Sequence, residues 1–135
     1  MKKYFNTSFV YMILAMVGGV FYREFTKAIG FSGNTMLSVM HTHYFVLGMG
    51  FFLLLMFLEK SFSFTNGKSN KFLLVYHIGL NVMELCFLIR GILQALQLPI
   101  SRALDASISG IAGLGHIALG VSMVMLMLNV KKSIK

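Results

Sequence analysis

Residues 37–58, LSVMHTHYFVLGMGFFLLLMFL, decide the fold. The stretch holds no Asp, Glu, Lys or Arg. It has the length of a bilayer-crossing helix, which takes roughly 20 apolar residues. Glu59 and Lys60 close it. Two imidazoles, His41 and His43, stand at its head, and a chain that carries polar rings into hydrocarbon raises the question of their partners.

Outward from this run, the pattern repeats. A first apolar run starts near Ser8 and stays apolar to Tyr22, carrying a span to about residue 28. A third covers about 72–98 and ends before the single proline, Pro99, which restricts the residue preceding it. A fourth covers about 108–130 and is closed by Lys131 and Lys132. Between the second and third lies EKSFSFTNGKSNK (59–71), polar and carrying an Asn-Gly turn signal. Of the 135 residues 57% are apolar and 12% charged, against roughly 25% charged in soluble domains. The alternation that a membrane β-barrel needs is missing. The expected fold is all-α: a single integral membrane four-helix bundle, up-down-up-down, over residues 1–135. The N-terminal MKKYFNTSFVYMILAMVGGVF is longer than a signal-peptide core and lacks a small-x-small cleavage site, so it reads as the first helix.

Charge sets the orientation. Lys2, Lys3, Lys60, Lys68, Lys71, Lys131, Lys132 and Lys135 fall on one side of the four spans, eight of the twelve cations. Arg23, Lys27, Arg90 and Arg102 fall on the other. The positive-inside rule then places both termini and the 59–71 loop in the cytoplasm. Most of the net charge of +8 is spent on this asymmetry, so the expected partner is the lipid bilayer and not nucleic acid. One cysteine, Cys86, admits no internal disulfide, and no C-x-x-C-H permits c-type haem attachment. Cys86 reads as a small core hydrophobe.

With the lysines as rulers and a rise of 1.5 Å per residue, four polar groups come to one depth. His43 lies roughly 24 Å from the inner edge, His116 and Arg23 roughly 22 Å, and Glu84 roughly 20 Å. Each helix thus contributes one group to a layer in the outer leaflet. Intramembrane charges cost roughly 2.5–3.5 kcal/mol each on insertion scales and normally face the bundle interior and pair there. An Arg23–Glu84 pair is one expectation, and a shared ligand is the other. His41 and His43 point about 200° apart on a helix, so one faces a given interface. His43 shares a stripe with Leu47 and Gly50 and is taken as the inward ring; His41 lies nearer the surface, and rotation of the helix exchanges the two.

In SGIAGLGHIALGVSM (109–123), Gly113 and Gly120 leave the positions above and below His116 without side chains. Such glycines serve close helix packing, or clear room for a flat macrocycle. On helix 1, Ala15, Gly19 and Arg23 form a matching stripe by spacing. On helix 3, His77, Asn81 and Glu84 share a face at i, i+4 and i+7. His77, roughly 9 Å from the inner edge, is too far from the layer to join it and reads as a hydrogen-bonded core residue. Arg90, near the outer edge, snorkels or holds an anionic group. The five tyrosines, Tyr4, Tyr11, Tyr22, Tyr44 and Tyr76, fit interfacial and core use.

YMILAMVGGVFYREFTKAIGF, HTHYFVLGM and LDASISGIAGLGHIALG resemble a family of small bacterial four-helix membrane proteins, mostly from Firmicutes, catalogued as a domain of unknown function. The resemblance covers nearly the whole chain and implies the fold, with no activity attached. The HTH…LG and GH…LG pieces resemble the haem-binding helices of haem–copper oxidases, though nothing here supplies a binuclear copper centre.

Three functions follow. The first is a b-type haem protein for electron transfer or for redox or gas sensing, with axial ligands from His43 and His116, His41 as the substitute, and Arg23 and Arg90 on the propionates. The second is a zinc or copper site of His43, His116 and Glu84. The third holds no cofactor: a membrane scaffold or oligomerising subunit with a structural polar core, its helix-face glycines being compatible with a homo-oligomer. No Ser-His-Asp order, P-loop or H-E-x-x-H appears, so an enzyme is the weaker expectation.

Overall fold

A computed structural model describes residues 1–134. Among them there are four helices and no strand: α1 (Lys2–Ala28), α2 (Leu37–Phe62), α3 (Gly67–Ala95) and α4 (Arg102–Ser133). All four are long and apolar enough to cross a membrane, at 26 to 32 residues each. In hydrocarbon a backbone must satisfy its own polar groups, which a helix does within one segment. Lys135, counted above among the cations of one side, lies outside the described residues.

The helices outrun the apolar runs because capping residues sit beyond the hydrocarbon-like stretch. Asn66 of the Asn-Gly pair caps α3, its Oδ1 accepting from Lys68 N and Ser69 N, each at 2.9 Å. The turn signal is therefore a helix start, five residues earlier than the apolar run suggests. Ser101 caps α4 in the same way, Oγ to Leu104 N at 3.2 Å, with Asp105 in the first turn where the helix dipole favours an anion. α2 stops at Ser63 in the left-handed region (φ 46). The Glu59 carboxylate then accepts from Thr65 N (3.0 Å) and Thr65 Oγ1 (2.7 Å), tightening the link to α3. α3 stops at Ala95, short of Pro99, through Gln97 at φ 53.

Helices adjacent in sequence are adjacent in space: α1 on α2, α2 on α3, and α3 most extensively on α4. The α3–α4 contact runs through Gly79 and Gly115. A Cβ on Gly79 would stand 2.8 Å from the Gly115 carbonyl oxygen, and one on Gly115 2.9 Å from the Gly79 carbonyl oxygen. Backbones can meet this closely only without side chains. The core between α1, α2 and α3 is aromatic, with Tyr4, Tyr11, Phe52 and Tyr76 all buried. Cys86 is buried against Ile108 and Ala112, a core residue as the sequence implies. Outward-facing side chains are apolar too, as a lipid solvent allows: Leu114 is 68% exposed and Val46 67%.

Within α2, Tyr44–Gly50 is π-helical. Two hydroxyls from neighbouring helices bond to its carbonyls: Tyr76 OH to Leu47 O at 2.7 Å and Ser8 Oγ to Met49 O at 2.9 Å. Gly48 in this segment lies against Tyr11, where a Cβ would come within 2.6 Å of the Tyr11 Cβ. The wide turn, its two hydroxyl partners and the missing side chain seat α1 on α2. Mid-helix π turns are often found at functional sites, and Tyr44, the first residue of this one, leads to the site below.

Candidate functional site

The i, i+4, i+7 face of α3 turns toward α1 and α2. Asn81 is its centre. Its Oδ1 accepts from Tyr44 OH at 3.0 Å, and its Nδ2 donates to Tyr11 OH at 3.0 Å and to the His77 carbonyl at 2.8 Å. Tyr11 OH lies 2.6 Å from His77 Nδ1. Tyr11 oxygen thus accepts from Asn81 and shares a second hydrogen bond with His77 Nδ1, whose direction follows the imidazole tautomer. The bonds form one chain across three helices: Tyr44, Asn81, Tyr11, His77. The His77 ring packs against both Phe52 (centroids 4.9 Å) and Tyr11 (5.6 Å), which also pack against each other at 5.7 Å. His77 is hydrogen-bonded, as expected, but half-buried rather than in the core.

Glu84, one turn beyond Asn81, is the exception to this satisfaction. It is 1% exposed, and neither carboxylate oxygen has a hydrogen-bond partner among the described residues. It lines a groove of about 540 Å³ between α1, α2 and α3. Gly18, Val17 and Phe21 of α1, Met40 and Tyr44 of α2, and Asn81 and Leu85 of α3 form most of its wall. Its rim is apolar and exposed: Val17 is 60% exposed and Leu85 56%. The result is a hydrocarbon-lined recess, open sideways, with one carboxyl, one amide and one phenol in it.

The sequence-derived polar layer is not assembled. Arg23 has a side chain 78% exposed and, among the described residues, pairs only with its neighbour Glu24, at 3.8 Å. The expected Arg23–Glu84 pair is therefore corrected: Glu84 is buried, Arg23 is not, and they do not meet. Arg90 places one guanidinium nitrogen on Asp105 Oδ1, Asp105 O and Ser109 Oγ, so it ties α3 to the start of α4. His43 and His116 each bond through Nδ1 to the carbonyl one turn back, Val39 at 2.9 Å and Ala112 at 3.0 Å. Phe87, on the intervening α3, touches both rings, with centroids 5.2 Å from His43 and 5.9 Å from His116. His116 is exposed, and the positions at Gly113 and Gly120 are open space, with no helix packed against them. His41 packs on the Gly18–Gly19 seam of α1, a Cβ on Gly19 falling 3.6 Å from its ring. Its Nδ1 is buried without a partner among the described residues. The two rings of HTH therefore serve two interfaces, His41 toward α1 and His43 toward α3. Among the described residues no three His, Cys, Asp or Glu side chains gather as a metal-ligand group, so the His43–His116–Glu84 set is not brought together.

Tyr11, Tyr44 and Asn81 are the residues the sequence reading left out of the site. Asn81 was visible as the middle of the His77–Glu84 face. Nothing in the sequence distinguishes Tyr11 and Tyr44 from other aromatic residues in apolar runs, because their role depends on helices meeting across the bundle.

Fold and groove together define a four-helix protein of the integral membrane class with a buried carboxyl beside an apolar, exposed recess. The chain belongs to the DUF2871 family, described as "Protein of unknown function", whose model matches residues 1–133. No curated protein and no solved structure matches it. The likeness to haem–copper oxidase helices has no counterpart in these comparisons.

Proposed function

We propose that the chain is a multi-pass protein of the bacterial cytoplasmic membrane, with both termini cytoplasmic, that binds a lipophilic small molecule entering its groove from the bilayer. The cation asymmetry of the sequence supports the orientation. Glu84 carries the binding reading. An unpartnered carboxyl in an apolar surrounding is costly to keep, and intramembrane ionisable groups mark ligand or ion paths. Binding sites are typically apolar recesses with a few convergent polar groups, which is the composition of this groove. The reading is tested by filling the recess. In lipid nanodiscs, Val17→Trp places an indole at the lipid-facing rim without disturbing the core. It is expected to abolish binding of a lipophilic benzyl-dodecyl probe that the unchanged chain takes up saturably. Uptake unaffected by the indole would refute the groove as the binding site.

A second reading, b-type haem held by His43 and His116, is supported by one observation. Both rings are fixed through Nδ1 with Nε2 left free, the arrangement in which ligating histidines are held. Iron shared by the two requires Phe87 to move aside. A Soret band in protein made with ample haem, lost in His43→Ala and in His116→Ala but kept in His77→Ala, would support it. Stoichiometric zinc or copper with no Soret band would replace haem by a divalent metal. With neither, the histidines serve packing alone.

A further inference from the structure

We infer that the occupant of the groove is a lipophilic monocation, an ammonium on a hydrophobic body, and that it competes with a proton for Glu84; this rests on the groove reading above. The chemistry of the wall selects the class. Glu84 has two buried oxygens free of protein partners behind the groove wall, reached by a ligand once the wall side chains yield, while Tyr44 OH is already engaged in donating to Asn81 Oδ1. A small hard cation needs six or so oxygen ligands, which one carboxylate in an apolar recess does not supply. An ammonium needs one counter-charge. Phe21 and Tyr44 line the same groove, and their aromatic faces attract organic cations. The remaining wall, with Val17, Leu85 and Leu88, suits a hydrocarbon or aryl body.

The charge accounting requires the exchange. Among the described residues no cation pairs with Glu84. α1 presents only apolar side chains and Gly18 to the groove, and its Arg23 is exposed beside Glu24. α2 presents Met40 and Tyr44, with His41 turned to the Gly18–Gly19 seam. On α3 itself His77 is two turns away and bonded to Tyr11. α4 adds no residue to the groove wall, and its His116 contacts Phe87. A bare carboxylate in such a place is unfavourable, so an empty groove holds Glu84 with its proton and an occupied one holds it as the anion of an ion pair. When a permanent cation binds, the O–H bond of Glu84 breaks. The proton passes to buffer, and the carboxylate pairs with the cation.

The test uses the full chain in zwitterionic nanodiscs with two probes: benzyldimethyldodecylammonium, and its neutral isostere with carbon in place of the charged nitrogen. Calorimetry in two buffers of different ionisation heat counts protons. The expected result is release of close to one proton per cation bound, with affinity weakening up to tenfold per unit as pH falls. Glu84→Gln is expected to weaken the cation at least tenfold and abolish proton release while leaving the neutral probe unchanged. Glu84→Asp is expected to restore part of the cation affinity, which excludes misfolding of the Gln variant as the cause. Equal binding of both probes without proton release, unaffected by Glu84→Gln, would overturn the cation assignment and leave the groove standing. Binding of neither probe would overturn both.

Discussion

The hydroxyl of Tyr11 on α1 lies 2.6 Å from Nδ1 of His77 on α3. The backbones of these helices are joined mainly through α2, and side chains bridge them directly: Tyr11 to His77, Asn81 to Tyr11, and Lys3 Nζ to Asn70 Oδ1 at 2.8 Å. The Tyr11–His77 bond is thus part of what holds α1 beside Asn81 on α3. Tyr11→Phe leaves the ring stacking and removes only the oxygen, stranding His77 Nδ1 and one Asn81 hydrogen. The expected loss is about 1–3 kcal/mol, the cost of unsatisfied buried polar groups. In a cycle with His77→Phe, the double variant should lose less than the sum of the singles, because the shared bond is counted twice. Denaturant titration in mild detergent measures this, and strict additivity would show that the bond carries no energy.

Glycines of α4 divide by what surrounds them. Gly79→Ala on α3 or Gly115→Ala on α4 forces a methyl to within 3 Å of a facing carbonyl oxygen, and neither backbone can yield cheaply. Overpacking of this kind costs about 1–3 kcal/mol. Gly113→Ala and Gly120→Ala point into open space and should be neutral or stabilise by a few tenths to about 1 kcal/mol, as a glycine removed from a helix interior does. Thermal unfolding of the four variants should separate them into two pairs. Equal behaviour would mean that α3 and α4 do not cross where the glycines face one another.

The π-helical turn of α2 depends on hydroxyls from two other helices. Ser8→Ala and Tyr76→Phe each delete one bond to its carbonyls, at Met49 and Leu47. A loss of about 1 kcal/mol is expected for each. If the turn is held open by them, the double variant also shifts Tyr44, and the affinity of a groove probe should fall together with stability. Stability loss with unchanged affinity would separate the turn from the site.

Hydropathy made the four spans legible, because lipid asks every outward residue to be apolar and only helices to cross. The ends were less so, since Asn66 and Ser101 extend α3 and α4 through capping rather than through hydrophobicity. Counting along each axis also drew out Glu84, which is buried within α3. Rotation about the axis was not legible. Ala15, Gly19 and Arg23 look like one stripe, but steps of four on a helix of 3.6 residues per turn drift by about 40° each. The face of α1 that is buried runs Tyr4, Ser8, Tyr11, Ala15, Gly18, and Arg23 falls off it. The same uncertainty hid the division of labour between His41 and His43, which only the positions of α1 and α3 decide.

Orientation rests on charge and can be tested at positions the structure leaves accessible. Ser69, in the 59–71 segment, is fully buried and donates from Oγ to the Phe64 carbonyl, so it would not report. Lys68 beside it is exposed, and Ser32 in the α1–α2 connection is exposed as well. The native thiol, Cys86, is buried and should stay silent to a polar maleimide. In intact cells an impermeant maleimide should modify Ser32→Cys and spare Lys68→Cys until the membrane is opened. The reverse pattern would invert the bundle and place the lysine-rich end outside. It would leave the groove and Glu84 where they are in the fold, but turn the groove's depth toward the inner leaflet. A ligand would then have to enter from the cytoplasmic side of the bilayer.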